Sequence, residues 1–170
     1  LFENYDLAKK VLSNWEHDEE NLEEMLGYFR ISSNAVYPFT REGRVCFLRL
    51  APVGEKAETD VRGELEFIRY LLKEGYPALR PVRSLSGEDM VVADTGGGGY
   101  FVCVFEKVDG VEISETGYGR EVMYAYGRAL GRLHALSSGY VPAVRKRDHK
   151  KILEGIRRTL EEYGGCRQAF

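Results

Sequence analysis

Arg49 is the residue whose surroundings first point to chemistry. In the run Arg44-Val45-Cys46-Phe47-Leu48-Arg49-Leu50, strand alternation puts Val45, Phe47 and Arg49 on one face and Cys46, Leu48 and Leu50 on the other. Arg49 is then a lone cation closing an otherwise apolar face. A guanidinium in that position is always charged and can contact two oxygens of an anion at once. The plainer alternative is a strand arginine that reaches solvent. Downstream, Gly63-Glu64-Leu65-Glu66-Phe67-Ile68 carries two carboxylates. Glu64, Ile68 and Leu71 stand at helical spacing, so Glu64 borders an apolar stripe, whereas Glu66 is better placed for solvent. On spacing alone both are exposed helix carboxylates.

Other chemistry-bearing groups carry less. The glycines at 96–99 invite a phosphate-loop reading, but such a loop ends in Gly-Lys-Ser/Thr and opens a helix, and this run enters Tyr100-Phe101-Val102 instead. It reads as a hairpin connection. His134 has no Cys or carboxylate at ligand spacing and reads as a hydrogen-bonded structural histidine. The three cysteines, Cys46, Cys103 and Cys166, are odd in number and far apart, which excludes a complete disulfide framework and a CxxC metal site. Cys46 and Cys103 sit in Val/Phe-rich runs and read as core residues. The basic run from Arg145 to Lys151, interrupted by Asp148, reads as a solvated loop and helix start.

The elements that must position these groups follow from periodicity. Leu7, Val11, Leu12 and Trp15 have helical spacing, and a second, acidic helix is expected from Asp18 to Leu26. Five strands are expected: Val36 to Phe39, Arg44 to Leu50, Val82 to Leu85, Asp89 to Ala93 and Tyr100 to Lys107, with one helix inserted among them. That helix spans Thr59 to Gly75, with Thr59 or Asp60 as N-cap and Gly75 and Pro77 as its stop. Arg120 to Ser137 forms another strong helix, ending at Gly139, and a last one runs from about His149 to Tyr163. The segments divide at 1–28, 29–108 and 109–170.

With 170 residues, 44% hydrophobic, 30% charged and a net charge of −3 from well-mixed signs, the chain fits one soluble domain. Nothing in that balance favours nucleic acid or an anionic membrane as a partner. Free cysteines and the lack of any apolar stretch of signal or membrane-spanning length predict a cytoplasmic protein.

The order of pieces resembles the N-lobe of the protein-kinase-like fold, and the residues resemble the aminoglycoside phosphotransferase family. Ser32-Ser33-Asn34-Ala35-Val36-Tyr37 looks like that family's loop over the nucleotide phosphates, although it lacks glycine. Phe47-Leu48-Arg49-Leu50 looks like the third-strand motif, with Arg49 where a Lys contacts the α and β phosphates. The family's Glu-Leu-x-x-Leu/Ile register selects Glu64 as the partner of Arg49. Phe101 to Gly110 looks like the last strand and the interlobe hinge, which implies that the Glu106 C=O and the Val108 N–H receive the base. Tyr126 to Leu136 resembles the family's Gly-x-x-Leu-x-x-Leu-His helix.

The resemblance implies an α+β fold: a kinase-like N-lobe with a five-stranded antiparallel sheet and one inserted helix, followed by the first helices of a helical C-lobe. It implies ATP or GTP and magnesium as cofactors and a hydroxyl on a small molecule as acceptor. The nucleotide-binding residues would be Ser33, Asn34, Arg49, Glu64, Glu106 and Val108. The family's His-Gly-Asp catalytic loop and the following magnesium-binding Asp are absent from these residues, since none of His17, His134 and His149 precedes Gly-Asp. These 170 residues alone are therefore expected to be inactive, as part of a longer phosphotransferase, with apolar surface exposed on the helices after Gly110. Two alternatives stay open: a catalytically dead nucleotide-binding or scaffolding module, and an unrelated α+β binding domain in which Arg49 and Glu64 lie apart.

Overall fold

The computed structural model describes residues 5–94, 98–144, 153–158 and 161. Two helices, α1 (Tyr5–Leu12) and α2 (Leu22–Gly27), precede the strands β1 (Arg30–Ile31), β2 (Ala35–Arg41) and β3 (Arg44–Pro52). Helix α3 (Glu58–Lys73) follows, then β4 (Pro81–Val82), β5 (Val91–Asp94) and β6 (Gly99–Glu106). A 3-10 turn at Ile113–Thr116 leads to the long helix α4 (Arg120–Gly139). The strands form one six-stranded sheet in the order β1-β2-β3-β6-β4, with β5 also paired to β6 and every pairing antiparallel.

The period of two along β3 decides what covers each side. Cys46, Leu48 and Leu50 face the N-terminal helices and share a core with Leu12, Trp15, Leu26, Phe39, Val102 and Val104. On the opposite face Ala51, Phe101, Cys103 and Phe105 pack under Val61, Leu65 and Ile68 of α3. The sheet is thus sandwiched between α1 and α2 on one side and α3 on the other. Helix α3 covers only one end of its face, leaving Val36, Val45 and Phe47 half-buried beside Arg49. Burial raises the thiol pKa of Cys46, and Cys103 is pushed up to about 11, so both behave as the core residues expected.

The β2–β3 hairpin shows how loop chemistry fixes register. Glu42 and Gly43 both have positive φ, 51° and 70°, which matches the right-handed twist of the flanking strands. Their amides donate to the two carboxylate oxygens of Asp18, each at 2.9 Å. The Gly43 hydrogen bond, opposed by burial and reinforced by the Glu42 amide, holds the Asp18 carboxyl below the usual aspartate value. A depressed folded pKa gives stability that is present above the unfolded value and lost as pH falls through the folded one. Asp18→Asn is expected to melt below wild type at neutral pH, with the gap closing in acid below the ordinary value of 3.8. Thermal melts from about pH 7 to about pH 2.5 check this, and a gap that stays constant contradicts the assignment.

Several boundaries differ from expectation, each for an identifiable reason. The sheet has six strands because the two-residue β1, too short to alternate, adds to its edge. Asp18 is engaged by the hairpin and Asn21 is left-handed (φ 57°), so α2 starts at Leu22. The strand expected over Val82 to Leu85 ends early, because the Leu85 amide donates to the Asn14 carbonyl and residues 84–88 close a turn. Asp89 is drawn to Arg69, so β5 begins at Val91. The N-cap of α3 is Ala57, with Asp60 one turn inside and accepting from the Ala57 amide at 3.4 Å.

Helix α4 lies where periodicity predicts it. The expected exposed apolar surface on the helices after Gly110 is present, with Tyr124, Tyr126, Leu153 and Ile156 each more than half exposed. Among the described residues no helix is long and apolar enough to cross a membrane. The last predicted helix is helical at residues 153–158; the rest of it, apart from 161, lies outside the described residues, as do the basic run 145–151, Gly96, Gly97 and Cys166.

Candidate functional site

Arg49 stands mid-sheet, opposite Val36 on β2 and Cys103 on β6. Its guanidinium forks onto Glu64 of α3, with Nη1–Oε1 at 2.7 Å and Nη2–Oε2 at 2.9 Å. The Arg49 side chain is 16% exposed and that of Glu64 is 40% exposed. The guanidinium carbon lies 4.9 Å from the centre of the Phe105 ring, an arrangement that favours the cation further. Burial works against the charge, but the hydrogen bonds and proximity of Glu64 more than offset it, so the arginine pKa is raised. Two parallel charge-assisted hydrogen bonds fix the plane of the guanidinium. Half-buried Val36, Val45 and Phe47 form a strip on the same face of the sheet as Arg49.

That strip runs to the end of β6. There the Glu106 amide donates to the Arg80 carbonyl at 2.9 Å, and the Lys107 amide to the Val45 carbonyl at 3.0 Å. These bonds anchor the last sheet residues. Val108, 62% exposed, then leaves the sheet, and its amide has no partner among the described residues. Two cavities flank this exit. One, of about 480 Å³, is lined by residues that include Tyr76, Ala78, Arg80, Glu106 and Val108. The other, of about 450 Å³, is lined by residues that include Arg41, Arg44, Val45 and Lys107. Arg49 opens into neither.

The β1–β2 loop is closed by a hydrogen bond from the Ser32 amide to the Asn34 carbonyl at 2.9 Å. Ser33 is exposed. The Asn34 side-chain oxygen accepts from Lys56 Nζ at 2.9 Å. Lys56 escaped sequence reasoning because it lies in the connection after β3, which has no period. A turn in which the Lys56 amide donates to the Pro52 carbonyl carries it back toward the loop.

Of the sequence-predicted residues, the structure joins Arg49 to Glu64, leaves Ser33 and Asn34 on the adjacent loop, and leaves Glu106 and Val108 at the sheet exit. Two readings change. Glu66 does not simply face solvent: it accepts from the amides of Ala143 and Val144 at 2.7 and 2.9 Å. His134 is exposed on α4, and its ring takes part in no hydrogen bond among the described residues. The hydrogen bonding expected of it is thus not found among the described residues. Among the described residues no group of three or more His, Cys, Asp or Glu converges as a metal site would require.

Known proteins resemble this chain in sequence and in fold. Residues 30–162 match the phosphotransferase enzyme family. Over 110 residues the chain is 28% identical to the amicoumacin kinase of Bacillus subtilis (strain 168), covering 64% of this chain and 33% of that protein. Among solved structures, an amicoumacin kinase in complex with AMP-PNP, Ca2+ and Ami superposes with a TM-score of 0.72 at 25% identity, over 86% of this chain and 42% of that one. A microcompartment-associated aminopropanol kinase shares the fold, with a TM-score of 0.53 at 20% identity over 66% and 34% of the two chains. The chain thus spans about a third of the length of the curated relative it matches. The match over most of the chain sets aside an unrelated α+β domain: this chain belongs to the phosphotransferase enzyme family.

Proposed function

We propose that residues 29–108 are the nucleotide-binding lobe of an ATP- or GTP-dependent phosphotransferase that acts on a hydroxyl of a small molecule. The observation that carries this reading is the bidentate Arg49–Glu64 pair at the head of an apolar strip that runs to the exit of β6. A triphosphate nucleotide needs both a cation for its phosphates and an apolar surface for its base, and the two lie side by side. The relative solved with AMP-PNP and Ca2+ supports a nucleotide and a divalent ion as cofactors.

In this reading Glu64 holds the Arg49 guanidinium in one plane, and the exposed edge of that guanidinium meets the α and β phosphate oxygens. Val36, Val45 and Phe47 take the base. The Glu106 carbonyl and the Val108 amide read its polar edge through the main chain, so their side chains are free to vary. Ser33 and Asn34 cover the phosphates, with Lys56 beside them. Magnesium, when bound, would neutralise developing phosphate charge, and no residue of this chain is assigned to hold it. Phosphoryl transfer rests mainly on positioning and electrostatic stabilisation. With no His-Gly-Asp in the sequence, these 170 residues are expected to bind nucleotide without turning it over. The remaining segment, 109–170, would begin the lobe that receives the acceptor. A cytoplasmic location, where ATP and GTP are abundant, fits this chemistry.

Titration calorimetry with MgATP and MgGTP tests the reading. Saturable one-site binding of at least one nucleotide, displaced by AMP-PNP, is expected. Absence of heat and of displacement with both nucleotides would overturn it.

A further inference from the structure

Helix α3 carries two carboxylates that face different ways. Glu64 engages Arg49, while Glu66, two residues on and so about 200° around the helix axis, engages the segment after α4. Its two oxygens each accept one of two successive amides, Ala143 and Val144. Beside it the Tyr140 ring lies 4.9 Å from the ring centres of both Phe67 and Tyr70. The Tyr70 hydroxyl donates to the Leu136 carbonyl at 3.0 Å. Burial and the neighbouring Glu66 carboxylate push the Tyr140 hydroxyl up to about 12, so it stays neutral beside that charge. Further along, Arg132 donates to the carbonyls of Glu74 and Gly75 at 3.1 Å, and the Tyr76 hydroxyl to the Ala129 carbonyl at 3.3 Å.

Against the sheet, by contrast, α3 rests on Val61, Leu65 and Ile68, and apolar contact is non-directional. The apolar stripe decides which face meets the sheet, and the polar bonds trim the rotation of the helix about its own axis: Glu64 to Arg49, Arg69 to Asp89, Tyr70 to Leu136, and Glu66 to Ala143 and Val144. We infer that Glu66 is a positioning residue for the Arg49 site, fixing α3 against residues 140–144 so that Glu64 stays turned toward the guanidinium. A shift of α4 is then felt at Arg49. The consequence for nucleotide affinity rests on the proposed function, whereas the consequence for the Arg49–Glu64 pair does not.

The test uses nitrogen-15 NMR of the arginine side chains and backbone amides, together with nucleotide titration, on wild type, Glu66→Ala and Glu66→Gln. In Glu66→Ala, the Ala143 and Val144 amides should lose exchange protection, and the slowly exchanging Arg49 guanidinium signal should broaden into the bulk arginine signal. Nucleotide affinity should fall about fivefold, and Arg49→Ala/Glu66→Ala should bind no more weakly than Arg49→Ala. Glu66→Gln, which keeps one acceptor oxygen, should recover part of the Arg49 signal and stands in if the alanine variant does not fold. An Arg49 signal unchanged while the Ala143 and Val144 amides become unprotected would overturn the inference, as would additive losses in the double variant. If wild type binds no nucleotide, the nucleotide reading fails, and the Arg49 signal still decides the role of Glu66.

Discussion

Arg49→Ala is expected to weaken nucleotide binding by about two orders of magnitude, or about 3 kcal/mol, the scale of truncating one partner of a desolvated charge pair. The size follows from the setting. The side chain is 16% exposed, its orientation is fixed by two hydrogen bonds to Glu64, and it lies over the Phe105 ring. A cation so confined meets phosphate oxygens without first losing much rotamer freedom. Removing it also leaves the Glu64 carboxylate pointing toward the phosphates, adding repulsion to lost attraction. Arg49→Lys keeps the charge but not the planar fork, and should lose about tenfold. Glu64→Ala should fall between the two, because the guanidinium remains but is no longer held. Calorimetric titration of the three variants checks this order, and an Arg49→Ala affinity equal to wild type would remove Arg49 from the site.

The largest stability effect is expected at Trp15→Ala, about 3–5 kcal/mol, a large part of the 5–15 kcal/mol that holds a typical domain folded. Trp15 is 1% exposed, in the layer between the N-terminal helices and the sheet. Its indole Nε1–H donates to the Val82 carbonyl at 3.0 Å. That bond reaches β4, which has only two residues and so few ladder bonds of its own. Truncation would open a cavity and remove the indole bond that ties α1's flank to β4. Trp15→Phe should cost less, about 1–3 kcal/mol, from the lost indole hydrogen bond and the smaller ring. Urea unfolding checks both, with the midpoint falling and the slope unchanged. A loss below about 1 kcal/mol for Trp15→Ala would mean that this layer is not the principal core.

Much of this molecule could be read from local pattern, and the failures came from contacts between residues far apart in the sequence. Alternation along β3 separated Arg49 from Leu48 and Leu50 correctly, because a period of two has only two answers. The Glu64 register needed the family resemblance, since spacing set Glu64 at the border of the apolar stripe but gave neither carboxylate a partner. The role of Glu66 was invisible for a different reason: its partners are main-chain amides 77 and 78 residues away, and an amide carries no side-chain signature in a sequence. Lys56 was missed in the same way, being brought to Asn34 by a turn rather than by a periodic element. Val82 to Leu85 looked like one strand because its residue types suit a strand, yet a long-range bond from Leu85 to Asn14 ends it early.

Backbone amide NMR with MgATP titrated into the nitrogen-15-labelled chain tests the central claim most directly. The account predicts shifts that trace one path, through Ser33 and Asn34, across Val36, Val45, Phe47 and Arg49, to Glu106 and Val108, with the opposite face around Trp15 and Leu48 unmoved. Shifts confined to other surfaces, or none at saturating MgATP and none at saturating MgGTP, would contradict it.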